Sequence, residues 1–184
     1  MKKLKLKNII RFSISIIIIL LGLMSGESLG QEKLSINISV DGKLIFLGDD
    51  IGNGNLTPNT LVRVEMQGDQ QNYGFLYISP EYEYADLSGG VYHRYSANVG
   101  YTFNKLPFKR VEVGGSVGYG AIIRNKGKIS QSFGGQLDLI YRITDRLRFV
   151  TTFQIVDRTD IQTIRGSVFY GLKFYFHNTS NISW

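Results

Sequence analysis

The sequence predicts an all-β protein, an eight-stranded antiparallel up-and-down transmembrane β-barrel. Three observations lead to this fold class. Apolar and polar residues alternate with a period of two in one segment after another. Several of these segments are longer than the about 5–6 residues usual for strands in soluble sheets. Segments rich in Gly, Asn, Asp and Pro separate them.

Segment 108–123, FKRVEVGGSVGYGAII, shows the alternation most clearly. From position 111 its odd positions are mainly aliphatic, whereas its even positions carry Glu112 and several glycines. A tilted strand of about 9–11 residues crosses a bilayer, so this segment is long enough to do so. Segment 129–143 repeats the pattern, with leucines on one face and Asp138 on the other. Repeated strands of this kind favour apolar side chains towards lipid and polar side chains towards a lumen.

The first thirty residues predict a secretory signal peptide that is cleaved before Gln31. Five basic residues precede an apolar run at 12–23, and Ser28 and Gly30 place small residues at the cleavage site. The alternative is an uncleaved anchor, but a run of about twelve apolar residues is shorter than the ~20 of a spanning helix. The predicted organisation is a signal peptide at 1–30, a barrel at 31–176 and a short polar tail at 177–184.

Composition disfavours several other classes of protein. The first thirty residues hold five of the 21 basic and one of the 15 acidic residues. The rest of the chain therefore has 16 basic and 14 acidic residues. The basic excess therefore belongs mostly to the signal peptide, and nucleic acid is not an expected partner. The chain has no cysteine, which excludes disulfides and a lipid-anchored cysteine. A mean hydropathy of −0.05 is too low for a helical membrane bundle but suits a barrel with a polar lumen.

The predicted first half of the barrel contains four strands. In segment 34–46 the apolar residues stay on the even positions through Asp41-Gly42. We therefore predict one long strand with Gly42 as a lipid-facing gap or bulge. The alternative is a hairpin, which the dipeptide Asp-Gly favours. Strands at 60–66, 72–84 and 91–103 follow. Because Pro80 cannot donate to a ladder, it is expected at a bulge or above the membrane rim.

The second half repeats the arrangement with short turns. After the two central strands, segments 147–157 and 164–176 have aromatic and aliphatic residues on the outward parity. The total is eight strands, and an even number places the first and the last strand ends, and so both chain termini of the barrel, on the same side of the membrane. The outward aromatics should then form two belts at opposite ends. One belt comprises Tyr101, Phe103, Tyr141, Phe149, Phe174 and Phe176, and the other Tyr82, Tyr84, His93, Tyr95 and Tyr119.

In this pattern the chain resembles the small eight-stranded outer-membrane proteins of the OmpA/OmpX type, over nearly all of residues 34–176. Its closing segment, with Gly171, Phe174 and Phe176, is similar to the signal that barrel-assembly machinery reads in such proteins. It departs from that signal in having Phe169 at a usually polar position and eight residues after the last aromatic. The resemblance implies the cell outer membrane as location. It also implies outer-membrane lipid, lipopolysaccharide and the assembly machinery as partners, with the surface ligand open.

An eight-stranded barrel has a lumen that side chains just fill, which favours a structural or surface-interaction role over a pore. The alternatives are a narrow channel or a deacylase acting on lipid A, because residues 93–98 superficially resemble the His and Ser of such enzymes. Parity places His93 towards lipid and Ser96 towards the lumen, so that they cannot exchange a proton, and no enzyme activity is expected. His177 has no neighbouring second ligand, and neither a metal site nor a cofactor site is expected.

The lumen is predicted to contain a charge network. A hairpin centred near Lys126 places Arg110 opposite Arg142 and Gly114 opposite Asp138, with Glu112 on the same face. The predicted members are Glu65, Arg110, Glu112, Asp138, Arg142, Arg148 and Lys173. The alternative is that each charge is solvated separately. Glu81 is expected near the rim, where neutralising it would change stability little.

Overall fold

The structure, a computed structural model, describes residues 33–42, 59–87, 90–124, 129–158 and 163–176. The predicted signal peptide and polar tail, including His177, lie outside the described residues. Eight strands account for most of the described chain. They are β1 (Lys33–Asp41), β2 (Asn59–Gln70), β3 (Gly74–Leu87), β4 (Gly90–Phe103), β5 (Val111–Arg124), β6 (Ile129–Arg142), β7 (Leu147–Arg158) and β8 (Thr163–Tyr175).

The strands form one closed barrel in sequence order. Each strand pairs antiparallel with the next, and β8 pairs with β1, for example Ser35 with Tyr175 and Val40 with Tyr170. Closure leaves no open edge, which a sheet in lipid requires. The predicted fold class, an eight-stranded antiparallel up-and-down barrel, is confirmed. In the described part of the chain, no helix is long and apolar enough to span a membrane.

Side chains alternate between a buried lumen and an exposed outer face, as the period-two pattern requires. On β7, Thr152 and Gln154 are buried whereas Phe153 and Ile155 are 47% and 61% exposed. The outer face is mostly apolar along all eight strands. Large exposed apolar side chains cost little against lipid and much against water, so this surface is suited to a bilayer.

The first strand ends earlier than predicted. β1 stops at Asp41, and Gly42 follows outside the strand. A side chain at Gly42 would collide with the ring of Tyr170 on the neighbouring strand β8. The single strand predicted for 34–46 is therefore wrong at Gly42, and its remaining residues, 43–46, lie outside the described residues.

Pro80 occupies neither of the positions expected for it. It lies in the middle of β3, where it pairs with Ala97 of β4 in an uninterrupted register. The ladder towards β2 keeps one register on both sides of it, with Arg63 paired to Glu81 and Met66 to Ile78. The irregularity in this ladder falls between Gln67 and Gln70 of β2, away from Pro80. A missing N–H is tolerated here because the flanking pairs hold the register and the ring faces outward, away from the lumen.

We call the end where β1 begins and β8 finishes the termini end, and the opposite end the loop end. The first predicted belt, from Tyr101 to Phe176, lies on the strand residues nearest the termini end. The second, around Tyr82 and His93, lies towards the loop end, where Tyr82 pairs with Tyr95. The two groups therefore lie at opposite ends of the barrel, as predicted, except that Tyr119 pairs with Ala97 nearer the middle of β5.

Candidate functional site

The lumen has one wall of small residues, which makes room for long side chains from the other walls. The inward positions of β5 include Gly114, Ser116, Gly118 and Gly120. A Cβ at Gly118 would collide with the side chain of Asn98. Glycine in a strand interior often marks such a close approach of neighbouring groups.

Arg63 of β2 extends across this space to the far side of the barrel. Its Nη1 donates to Asp138 Oδ2 of β6 at 2.7 Å, and its Nη2 donates to the side-chain oxygen of Gln136. Its Nε donates to Glu81 Oε2 at 3.2 Å. The guanidinium is 1% exposed and bonds to three side chains at once, as its rigid fork of donors allows.

Glu81 of β3 is the centre of this middle cluster. Arg94 Nη1 donates to its Oε1 at 2.7 Å, and Gln136 Nε2 donates to its Oε2 at 2.8 Å. Gln154 and Ser96 donate to Oε1 at 3.3 Å each. A carboxylate has about four lone-pair sites, and here both oxygens accept several bonds. Arg94 also lies 3.7 Å from Glu83, so two carboxylates face it.

A second cluster lies nearer the termini end. Arg142 Nη2 donates to Glu112 Oε1 at 2.9 Å, and Arg148 donates to the other oxygen of the same carboxylate. Lys173 of β8 donates to Glu65 of β2, so this ion pair passes over β1, which lies between the two strands. The Arg148 guanidinium lies 4.1 Å from the ring centroid of Tyr175, a distance at which cation–π attraction acts.

Six of the seven predicted network residues form ion pairs in the lumen, but they are divided between the two clusters. Glu65, Glu112, Arg142, Arg148 and Lys173 lie in the second cluster. Asp138 lies instead in the middle cluster, where it accepts from Arg63 and, at 2.5 Å, from Thr152 Oγ1.

Arg110 is the exception, and its prediction is wrong. It does pair across to Arg142, whose N–H donates to its carbonyl at 2.8 Å, as the predicted register required. However, it lies in the turn before β5, and its side chain is exposed. Among the described residues it joins no ion pair of the two clusters.

The expectation for Glu81 is also wrong, because Glu81 is buried at the centre of the lumen and not at a solvated rim. Sequence reasoning missed Arg63 and Arg94 as network members, although the alternation in the predicted strands 60–66 and 91–103 puts both on the polar face. It also missed the apolar part of the lumen, where Ile140, Val150 and Phe169 are at most 1% exposed. These residues occupy inward positions on the predicted strands, so parity alone could have identified them.

The pair considered for lipid A chemistry is separated by the barrel wall. His93 faces outward, and its Nδ1 lies 2.9 Å from the Tyr82 hydroxyl. Ser96 is buried in the lumen and donates to Glu81. A base that activates a hydroxyl must reach its proton, which this arrangement prevents. Within the described ranges, no group of three His, Cys, Asp or Glu residues could hold a metal ion.

No family model and no curated protein matches the chain. Among solved structures, the chain is similar to the Yersinia pestis outer membrane protein Ail in a phospholipid bilayer nanodisc. That match has 13% identity and a TM-score of 0.55, over 79% of this chain and 100% of Ail. This fold is that of a small outer-membrane β-barrel of the Ail and OmpX type. A crystal structure of Y. pestis Ail (12%, TM-score 0.48, 79% and 97% covered) and Neisserial surface protein A (11%, 0.47, 79% and 95%) also match.

The predicted assembly signal lies at the end of β8, with Gly171 and Phe174 in the strand and Phe176 directly after it. Gly171 pairs with Ser39 of β1, and a Cβ there would collide with the Ser39 side chain. Phe174 and Phe176 are 43% and 62% exposed on the outer face at the termini end. All three residues therefore lie at or beside the seam where β8 meets β1.

Proposed function

We propose that this chain is an outer-membrane protein with a side-chain-filled lumen, and that its role is structural or surface-interacting and not that of a pore. The observation that carries the proposal is the middle cluster. Arg63 reaches from β2 to Asp138 on β6 and shares Glu81 with Arg94, and all four side chains are at most 5% exposed. Side chains that bond to one another across the lumen support a lumen closed to ions.

Ion pairing supports the same proposal. Among the described residues, five cations form ion pairs with five carboxylates: Arg63, Arg94, Arg142, Arg148 and Lys173 with Glu65, Glu81, Glu83, Glu112 and Asp138. A sixth buried carboxylate, Asp41, accepts a bond from the Asn59 side chain at 3.1 Å. Breaking such buried pairs to pass an ion would strand charges at a cost of about 3–5 kcal/mol each. The role is therefore expected at the outer surface or in the membrane, and not in transport through the lumen.

Conductance across planar lipid bilayers tests the proposal. The purified, refolded protein should insert without producing stepwise current. A double variant, Arg63→Ala with Glu81→Ala, removes the centre of the middle cluster and should produce small steps if it folds, which serves as the positive control. Regular steps from the unmodified protein would contradict the filled lumen, and a narrow channel would then be the function.

The outer-membrane location has its own test. Expressed with its own N-terminus in a Gram-negative host, the protein should fractionate with the outer membrane and migrate differently on gels when unheated. The proposed partners there are outer-membrane lipid, lipopolysaccharide and the barrel-assembly machinery. Recovery from the soluble periplasmic fraction would refute this location.

We also propose that the protein is not an enzyme, because His93 and Ser96 lie on opposite sides of the barrel wall. Mass spectrometry of lipid A from cells with and without the protein should give identical spectra. Loss of an acyl chain in its presence would overturn this part of the proposal.

A further inference from the structure

Two neighbouring turns at the termini end form one exposed surface that is both aromatic and basic. We call it the turn patch and define it as Tyr73, Lys105, Phe108, Lys109 and Arg110. Tyr73 and Phe108 are each 68% exposed, the highest values among the large apolar side chains of the described residues. The three cations are exposed as well.

Hydrogen bonds hold these two turns together. The N–H groups of Asn104 and Lys105 donate to the Tyr73 carbonyl at 3.1 and 3.4 Å. The side-chain amides of Gln70 and Asn104 exchange two further bonds at 3.1 and 2.8 Å. Because both turns are tied to each other, Tyr73 and Lys105 belong to one surface.

A further backbone hydrogen bond fixes the basic tip of the patch. The N–H of Val111 donates to the Phe108 carbonyl at 3.1 Å, which closes a tight turn with Lys109 and Arg110 as its central residues. The tip therefore presents two cations directly beside an exposed aromatic ring. Such a preformed arrangement reduces the entropy lost on binding a ligand.

Among the described turns at this end, exposed positive charge is concentrated in the patch. Residues 68–73 and 104–110 contain three cations and a single carboxylate, Asp69. The third turn at this end, at 143–146, contains one of each sign, Asp145 and Arg146. An anionic group near the termini end is therefore drawn to the turn patch and not to the whole rim.

The patch also continues the outer, lipid-facing surface. Tyr101 and Phe103, whose ring centroids are 4.8 Å apart, lie on the outer face of β4 and lead directly into residues 104–110. Aromatic rings settle at the level of lipid headgroups, and long basic side chains reach from there to charged groups. The position therefore matches the boundary between the barrel and the headgroups of one leaflet.

We propose that the turn patch is a binding site for the headgroup of an anionic phospholipid. Lys105, Lys109 and Arg110 contact the phosphate, while Tyr73 and Phe108 pack beside the glycerol and upper acyl chain. This inference rests on the proposed location of the chain in a membrane. It assigns the ligand to one leaflet, the one at the termini end, and to a set of five side chains.

The test is a titration of the folded protein in zwitterionic detergent micelles, followed by amide NMR. The probes are short-chain phosphatidylglycerol, short-chain phosphatidylcholine and inorganic phosphate. Amides of residues 104–110 should shift with phosphatidylglycerol and should respond far less to the other two. Added salt should weaken the binding, because the contacts are between exposed charges.

Matched variants locate the site. Lys109→Gln should weaken phosphatidylglycerol binding about fivefold, and Lys105→Gln with Lys109→Gln about 25-fold, given the contribution of a lysine near an anionic lipid surface. Arg146→Gln removes one exposed cation from the other turn and should change binding by less than about twofold.

Three results would overturn the inference: equal shifts with phosphatidylcholine, equal shifts with inorganic phosphate, or unchanged binding by the Lys109 variant. If the lipid site fails this test but the same samples give a dispersed barrel spectrum, the proposed membrane location still stands. Failure of the lipid site can therefore be distinguished from failure of the membrane location. All substituted side chains are exposed, and the spectrum of each variant reports its fold directly.

Discussion

Replacing Glu81 with glutamine should destabilise the barrel more than any other single neutralisation in the lumen. Glu81→Gln keeps the volume of the side chain but removes its charge and turns one acceptor oxygen into a donor. Arg63 Nε and Gln136 Nε2 donate to Oε2, and Arg94 Nη1 donates to Oε1. The new amide NH₂ group therefore faces other donors in either of its two orientations. The substitution therefore breaks bonds and strands charge at the same site.

The magnitude follows from the partners that remain. Arg63 keeps Asp138 at 2.7 Å, but among the described residues Arg94 keeps only one carboxylate, Glu83 at 3.7 Å, and a bond from its Nε to Ser132 Oγ at 2.9 Å. Removing one partner of a buried pair costs about 3–5 kcal/mol, and Arg94 is the stranded charge. For an m value of about 2 kcal/mol/M, the urea midpoint of unfolding should fall by about 2 M.

The assay is urea unfolding in lipid vesicles, with the folded fraction read from the gel mobility of unheated samples. Glu112→Gln should cost somewhat less, because its partner Arg142 is 18% exposed and water relieves the loss. Asp69→Asn, at an exposed position, is the control and should change the free energy of unfolding by less than about 1 kcal/mol. If Glu81→Gln behaved like that control, the lumen would be wet and the bonded middle cluster refuted.

Two further predictions concern the barrel wall and its assembly. Gly120→Ala would place a Cβ against the backbone of Tyr95 and Ser96 and should cost about 1–3 kcal/mol in urea unfolding, whereas Gly166→Ala, with no atom within 4 Å of its Cβ, should be neutral. Phe176→Ala should slow insertion by purified assembly machinery without moving the unfolding midpoint, and the equally exposed Ile155→Ala should leave insertion unchanged. Equal insertion rates for these two variants would contradict the assembly signal.

Period-two alternation predicted the strands and faces because each residue of a barrel strand faces either lipid or lumen. The register of the central hairpin followed from the short connection, which is why Gly114 and Asp138 pair as expected. The end of β1 could not be predicted, because the alternation of apolar and polar residues continues past Asp41, although Gly42 already lies outside the strand. The position of Pro80 was missed because a regular register can absorb one absent donor.

Contacts across the lumen were beyond sequence reasoning for a different reason. Pairing between neighbouring strands follows from register, which is how Glu112 could be placed beside Arg142. Arg63 and Asp138 are 75 residues apart on strands that are not neighbours. Whether they meet depends on the length of the two side chains and on the space left by the small inward residues of β5.

The ion pair between Lys173 and Glu65 bears on how long the barrel stays closed. Its two residues lie on β8 and β2, on either side of β1, so they can meet only once β8 has joined β1. Where the transition state for folding precedes closure, such an interaction does not help the chain to reach it. It acts instead on the rate of opening, and an interaction of this kind lengthens the lifetime of the folded state without speeding its formation.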